Sequence, residues 1–202
     1  MKYKAVGFDY GGVIKGVPGS FLSAGISSLL GVTADEYQTA YFHHNKKVNR
    51  GDITWPELWK LVLTELGHPD KVEAVMKLSN DVFDQPINEN MVDLVDTIKS
   101  RGYKVGLLSN NTIDAGKKMR EIGLDKHFDV FHVSAETRLV KPEPEAFEFL
   151  AKELGVDIRE LIFIDDAEKS LSTAKECGYT SILFESYDLL NTQLQELGIL
   201  VS

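Results

Sequence analysis

The sequence predicts a doubly wound α/β domain with a parallel sheet, interrupted after its first strand by a purely helical module. Three observations predict it. Short apolar runs alternate with longer amphipathic stretches along most of the chain; one block, from about Gly19 to Asp84, holds no convincing strand; and several apolar runs stop at acids, hydroxyls or amides.

The first strand reads from "YKAVGFDY", a run apolar enough to be buried, which the glycines and proline of "GGVIKGVPG" then end. In the block that follows, "SFLSAGISSLLG", "TADEYQTAYFHHNKKV", "TWPELWKLVLTELG" and "DKVEAVMKLSNDVF" each carry helical spacing. Thr33, Thr54 and Asp70 are the expected N-caps, with Gly31 and Gly67 as stops. Thr54 and Glu57 form a capping-box pattern, with Pro56 in the first turn.

After Pro86 the alternation resumes with helix "NENMVDLVDTIKSRG", strand "KVGLLS", helix "TIDAGKKMREIG", strand "DVFHVS" and helix "PEAFEFLAKELG". Strand "LIFID", helix "EKSLSTAKECG", strand "SILF" and a last helix "SYDLLNTQLQELG" complete it. Strands joined by helices of this length imply right-handed crossovers and a parallel sheet. The expected organisation is a core of residues 1–18 and 85–202 with a helical insertion at 19–84.

Composition narrows the function. With 202 residues, 43% of them apolar, the chain can bury a real core. A net charge of −9 with no basic run argues against a general grip on nucleic acid, so an anionic ligand must meet a locally positive site. The single cysteine, Cys177, excludes an internal disulfide and agrees with a reducing compartment. Asp9 stands where a signal peptide needs its apolar segment, and no stretch reaches the ~18 apolar residues of a membrane span, so the expected location is cytoplasmic, away from membranes.

In a sheet of this kind ligands bind beyond the carboxyl ends of the strands. Asp9 ends the first strand; Ser109, Asn110 and Asn111 end "KVGLLS"; Lys141-Pro142 lies in the loop after "DVFHVS"; Asp165-Asp166 ends "LIFI". Each has an ordinary reading taken singly. Asp before Gly-Gly is common turn chemistry, the hydroxyl, amides and acids cap helices, and Lys141 suits a solvated loop. Together, in this order and at four strand ends, they point to one crevice.

At these residues the chain resembles a family. "FDYGGV", "LLSNN", "VKPEPEAF" and "FIDDAEKS" are similar to the four motifs of the haloacid dehalogenase (HAD) superfamily, and the helical block is similar to its C1-type cap. The resemblance covers essentially the whole chain. It implies a Rossmann-like core and, most often, a Mg2+-dependent phosphohydrolase. By position it makes Asp9 the nucleophile, has Ser109 and Asn110 bind the phosphoryl group and Lys141 steady nucleophile and phosphate, and assigns the metal to Asp9, the carbonyl of Gly11, Asp165 and Asp166.

The residue types suit that chemistry independently. Phosphoryl transfer spreads negative charge over equatorial oxygens, which calls for cations and N–H or O–H donors. A carboxylate attacking phosphorus forms an aspartyl phosphate that water then hydrolyses. Mg2+ takes oxygen ligands and keeps several waters, so a few carboxylates and a carbonyl suffice.

Gly11 is the departure. The commonest form of the first motif has a second aspartate there, which protonates the leaving oxygen and later activates water; a positioned general acid of this kind is worth about 10²–10⁴ in rate. Its loss favours substrates whose leaving groups depart readily as anions. Two alternatives follow: displacement at carbon, as in a dehalogenase, where a halide leaves without a proton, and a non-catalytic phosphate-binding or regulatory protein. The doublet Asp165-Asp166 argues against the first, because such a concentration of negative charge makes sense chiefly with a cation.

The expected ligand is a small phosphorylated metabolite, with substrate choice placed in the helical insertion. Elsewhere the ordinary readings lead. His43 and His44, adjacent on a helix, point in different directions and make a poor metal pair. Trp55 and Trp59 share a face and pack the module; Asn49 and Arg50 read as a solvated helix end, Arg138 as a loop arginine in solvent, and Cys177 as core packing.

Overall fold

The computed structural model describes residues 2–16, 21–83 and 85–201. The expected boundaries of the helical insertion fall at residues 17–20 and 84, outside the described residues.

Five parallel strands form one sheet in the order β3-β2-β1-β4-β5: β1 Ala5–Phe8, β2 Lys104–Ser109, β3 Val130–Val133, β4 Leu161–Asp165 and β5 Thr180–Leu183. The architecture is Rossmann-like. β1 is central because it is apolar throughout, and all four of its residues are buried. Its two neighbours, β2 and β4, leave β1 in opposite directions along the sheet, so the switch point lies at the carboxyl ends of β1 and β4. The register sets Phe8 beside Leu107 on one side and Ile164 on the other. Asp9 and Asp165 therefore emerge side by side, and the Asp9 N–H donates to the Ile164 carbonyl at 2.8 Å.

Helices cover both faces. One apolar cluster joins Val6, Phe8, Leu107 and Ile164 to α5 (Glu89–Ser100) and α10 (Tyr187–Glu196); a second joins Ala5, Leu108 and Phe163 to α8 (Pro144–Glu153). Between β1 and α5 the chain runs through α1 (Phe21–Leu30), α2 (Ala34–Asn49), α3 (Trp55–Glu65) and α4 (Val72–Phe83), which enclose a third cluster around Ile26, Tyr37, Trp59, Val62 and Val75. Thr33 and Thr54 close capping boxes with Glu36 and Glu57, and Gly31 and Gly67 lie just past helix ends at φ +70° and +78°.

Two local expectations are corrected. Asp70 caps no helix: Pro69–Lys71 forms a 3₁₀ turn and α4 starts only at Val72, since a proline there opens its own tight turn. "EKSLSTAKECG" breaks into a 3₁₀ turn, Glu168–Leu171, and the short α9, Ala174–Cys177. The Thr173 hydroxyl donates to the Pro142 carbonyl at 2.8 Å, holding the chain down where a continuous helix would rise. Among the described residues no helix is long and apolar enough to cross a membrane.

Candidate active site

The loop after β3 delivers one lysine between two strand ends. Lys141 Nζ lies 2.8 Å from Asp9 Oδ1 and 2.5 Å from Asp165 Oδ2, with its side chain 2% exposed and the Phe163 ring centroid 5.1 Å away. Its backbone is fixed as firmly. The Lys141 N–H donates to Asn110 Oδ1 at 2.9 Å, and Asn110 Nδ2 donates back to the Lys141 carbonyl at 2.8 Å. The Asn110 side chain is thus committed to the loop, which leaves its backbone as the part that can face a ligand.

Asp165 is fully buried, one oxygen taken by Lys141 and the other accepting from the Ala167 N–H at 2.9 Å. That turn brings Asp166 forward. Oxygens of Asp9, Asp165 and Asp166 all lie within 4.8 Å of one another. Ser109, 2% exposed, ends β2 next to β1, within one residue of the level of Asp9.

One ammonium among three carboxylates leaves the cluster with about two surplus negative charges when all are ionised. Burial pushes the Asp9 carboxyl up to about 7; Lys141 opposes the rise, and Asp165 and Asp166 add to it. Burial also works against the Lys141 ammonium, but Asp9 and Asp165 outweigh it and hold its pKa above the usual value. An all-oxygen, carboxylate-rich donor set with that charge fits a hard divalent cation, which Asp9, Asp165 and Asp166 would hold.

The two glycines differ. Gly12 has φ +71°, and a Cβ built on it would fall 2.1 Å from Asp166 Oδ2. Gly11 is exposed, has no positive φ, and a Cβ there meets nothing within 4 Å. Sequence reasoning missed the role of Gly12; a Gly-Gly pair before the site was the only signal, and it does not say which glycine is needed.

The α2–α3 turn reaches the same edge of the sheet. Arg50 Nη2 donates to both oxygens of Glu143, at 2.9 and 3.0 Å, and Lys46 joins at 2.7 Å. Arg138 Nη2 lies 2.5 Å from Asp52 Oδ1. Gly51, at φ +73°, lets the turn sit on the Ala135 carbonyl, 2.7 Å from where a Cβ would be. Arg50 and Arg138 therefore tie distant parts of the chain together, while Arg138, its side chain 63% exposed, is also the solvated loop arginine expected. His43 and His44 are corrected too: their rings stack at 4.6 Å, nearly parallel, and both reach one oxygen, Glu65 Oε2, at 3.0 and 2.7 Å. Trp55 and Trp59 pack edge to face at 5.4 Å.

Both the sequence and the fold have known counterparts. The model of the haloacid dehalogenase-like hydrolase family matches residues 3–178, and the chain belongs to that family. It is 28% identical over 120 residues to bifunctional epoxide hydrolase 2 of Mus musculus, covering 57% of this chain and 22% of that protein. It is 30% identical over 101 residues to the putative phosphatase YhcW of Bacillus subtilis, covering 45% of this chain and 46% of the relative. The chain thus spans between about a fifth and half of these relatives. The fold is shared with a HAD family enzyme of Bacteroides thetaiotaomicron solved with magnesium and inorganic phosphate, at a TM-score of 0.66, 23% identity, and 93% and 98% coverage of the two chains.

Proposed function

We propose that this chain is a Mg2+-dependent phosphohydrolase of small phosphomonoesters, with residues 19–84 serving as a cap over a core of residues 1–18 and 85–202. The observation that carries the reading is Lys141, buried between Asp9 and Asp165 at the switch point, with Asp166 beside them. Two further facts support it. A sequence relative is named a putative phosphatase, and the Bacteroides enzyme of the same fold was crystallised with magnesium and phosphate.

In this reading Ser109, the backbone at Asn110 and Lys141 receive the phosphoryl oxygens. Mg2+, held by Asp9, Asp165, Asp166 and the Gly11 carbonyl, supplies charge neutralisation when bound. Asp9 Oδ attacks phosphorus, the P–O bond to the organic group breaks, and an aspartyl phosphate forms. Water then attacks that phosphorus, releases phosphate and restores Asp9. The space a side chain at position 11 would fill is open, so the leaving oxygen takes its proton from solvent, and rates should depend steeply on leaving-group acidity. A dehalogenase reading is disfavoured by the same cluster, since displacement of halide from carbon leaves Asp166 without a purpose.

Hydrolysis of an aryl and an alkyl phosphate, each with and without Mg2+, by wild type and Asp9→Asn tests the proposal. Mg2+-dependent turnover that favours the aryl ester and disappears in Asp9→Asn is the expected result. Turnover unchanged in Asp9→Asn would remove the nucleophile and the mechanism with it.

A further inference from the structure

A cleft of about 840 Å³ lies between α3 and α6 (Ile113–Glu121). Tyr10 and Asn111, the residues directly after Asp9 and Asn110, are part of its lining, so one part of the cleft lies beside the site. Its walls are mainly apolar. Ile53, Trp55 and Met76 line one side, Ile113 and Ile122 the other, and the buried Met119 lies between them. Ile113 and Ile122 are 44% and 61% exposed, placing large aliphatic side chains at the surface where nothing among the described residues covers them.

The charges around the cleft carry information as well. Lys15, Lys117 and Lys118 are matched by Asp52, Glu57, Asp114 and Glu121, and Lys117 Nζ lies 3.4 Å from Asp114 Oδ1. A site for a second phosphate would need a surplus of donors and cations, and this lining has none. The volume is also much larger than a triose or a phosphoglycolate needs, and most of the exposed lining surface is apolar.

We infer that the substrate is a phosphomonoester whose organic part is an extended apolar group, an alkyl chain or a fused aromatic system, lying in this cleft with a single phosphate at Asp9. The inference rests on the proposed phosphohydrolase reading for the phosphate end and on the cleft for the rest. Each CH₂ buried along an apolar wall is worth about 0.8 kcal/mol, close to fourfold in affinity when burial is complete. In a cleft open on one side, roughly twofold per CH₂ is expected.

Calorimetric titration of the Mg2+-loaded Asp9→Asn protein with ethyl, hexyl and decyl phosphate, the last below its micelle concentration, tests this apart from turnover. Affinity should rise at least about a hundredfold from ethyl to decyl. Ile113→Asp and Ile122→Asp change exposed positions, so the fold should persist; together they should remove most of that gain, with binding of ethyl phosphate and, where Asp9 is intact, turnover of a small aryl phosphate unchanged. Affinity independent of chain length, or a chain-length effect indifferent to both substitutions, overturns the inference, even if Mg2+-dependent hydrolysis of the small ester upholds the phosphohydrolase reading. Chain-length-dependent binding without hydrolysis of any ester separates the two the other way: the cleft assignment stands and the catalytic reading falls.

Discussion

Gly12 makes room for Asp166: a Cβ on Gly12 would overlap the Asp166 carboxylate, at 2.1 Å from Oδ2 and 2.4 Å from Cγ. Gly11, one residue earlier, has no such neighbour. The two glycines therefore predict opposite outcomes. Gly12→Ala should cost about 1 kcal/mol for its left-handed backbone and turn the Asp166 carboxylate away, weakening Mg2+ binding at least about tenfold. Gly11→Asp should fold as wild type and raise hydrolysis of alkyl over aryl phosphates by up to about 10²-fold, because it places an acid where the first motif usually carries one. Thermal melts, Mg2+ titrations and the alkyl-to-aryl rate ratio read both. Equal effects of the two substitutions would refute the distinction.

The Asn110 side chain makes a two-way amide clamp on the Lys141 backbone. Asn110→Ala leaves a partly buried N–H and C=O without that partner, at about 1–3 kcal/mol of stability. It also frees the loop that aims the ammonium at Asp9 and Asp165. The expected signature is a fall of about 10–100-fold in kcat with a smaller change in KM, since a misplacement near 1 Å weakens the transition state most. An unchanged kcat with a lowered Tm would mean that the clamp serves folding alone.

What the sequence disclosed depended on how local the cause was. "KVGLLS" and "LIFID" coincide with β2 and β4 because each is a short apolar run that stops at a polar residue, Ser109 or Asp165, where the strand ends. The convergence of Asp9, Lys141, Asp165 and Asp166 was legible for a topological reason: parallel strands bring their carboxyl ends to one edge. The break between Leu171 and Ala174 was not, because its cause is the Thr173 bond to Pro142, 31 positions away in the chain. Nor could the pairing of Arg50 with Glu143 or of Arg138 with Asp52 be read, since partners 93 and 86 positions apart leave no local pattern.

Those two ties hold the α2–α3 turn on the core, and in the first of them Glu143 anchors Lys46 as well as Arg50. Burial alone would raise the Glu143 carboxyl, but hydrogen bonds from Lys46 and Arg50 hold it below the ordinary range, so it stays charged. Partly exposed pairs of this kind are worth about 0–1 kcal/mol each and weaken with salt. Glu143→Gln should therefore loosen the proposed cap by about 1 kcal/mol, raising KM for a cleft-filling substrate roughly threefold to fivefold while leaving the melting temperature nearly unchanged. High salt should do the same to wild type and little more to the variant. A variant that keeps the wild-type KM and its salt dependence would show that the ties do not govern closure.

The Asp9 carboxyl gives the stability of the metal-free protein a pH dependence of its own. Its folded pKa of about 7 lies above the unfolded value of about 3.9, so between these limits the folded state binds more protons than the unfolded state. That contribution to stability is complete below about pH 4 and is lost as the pH rises through 7. Asp9→Asn removes the charge and with it the loss, so in the presence of EDTA the variant should exceed wild type at pH 8 by about 1–3 kcal/mol and match it near pH 4. His132 has the opposite slope, because burial keeps its imidazole neutral and its pKa low, but it is common to both proteins and cancels in the difference. Mg2+ should close most of this gap at pH 8. A cation favours the ionised Asp9, and at a hundred times its dissociation constant it adds about 2.7 kcal/mol to wild type and less to the variant. Urea unfolding of both proteins at pH 4 and 8, with EDTA and with Mg2+, measures all of these contributions. A stability difference that ignores pH and metal would show that burial does not set the charge of Asp9.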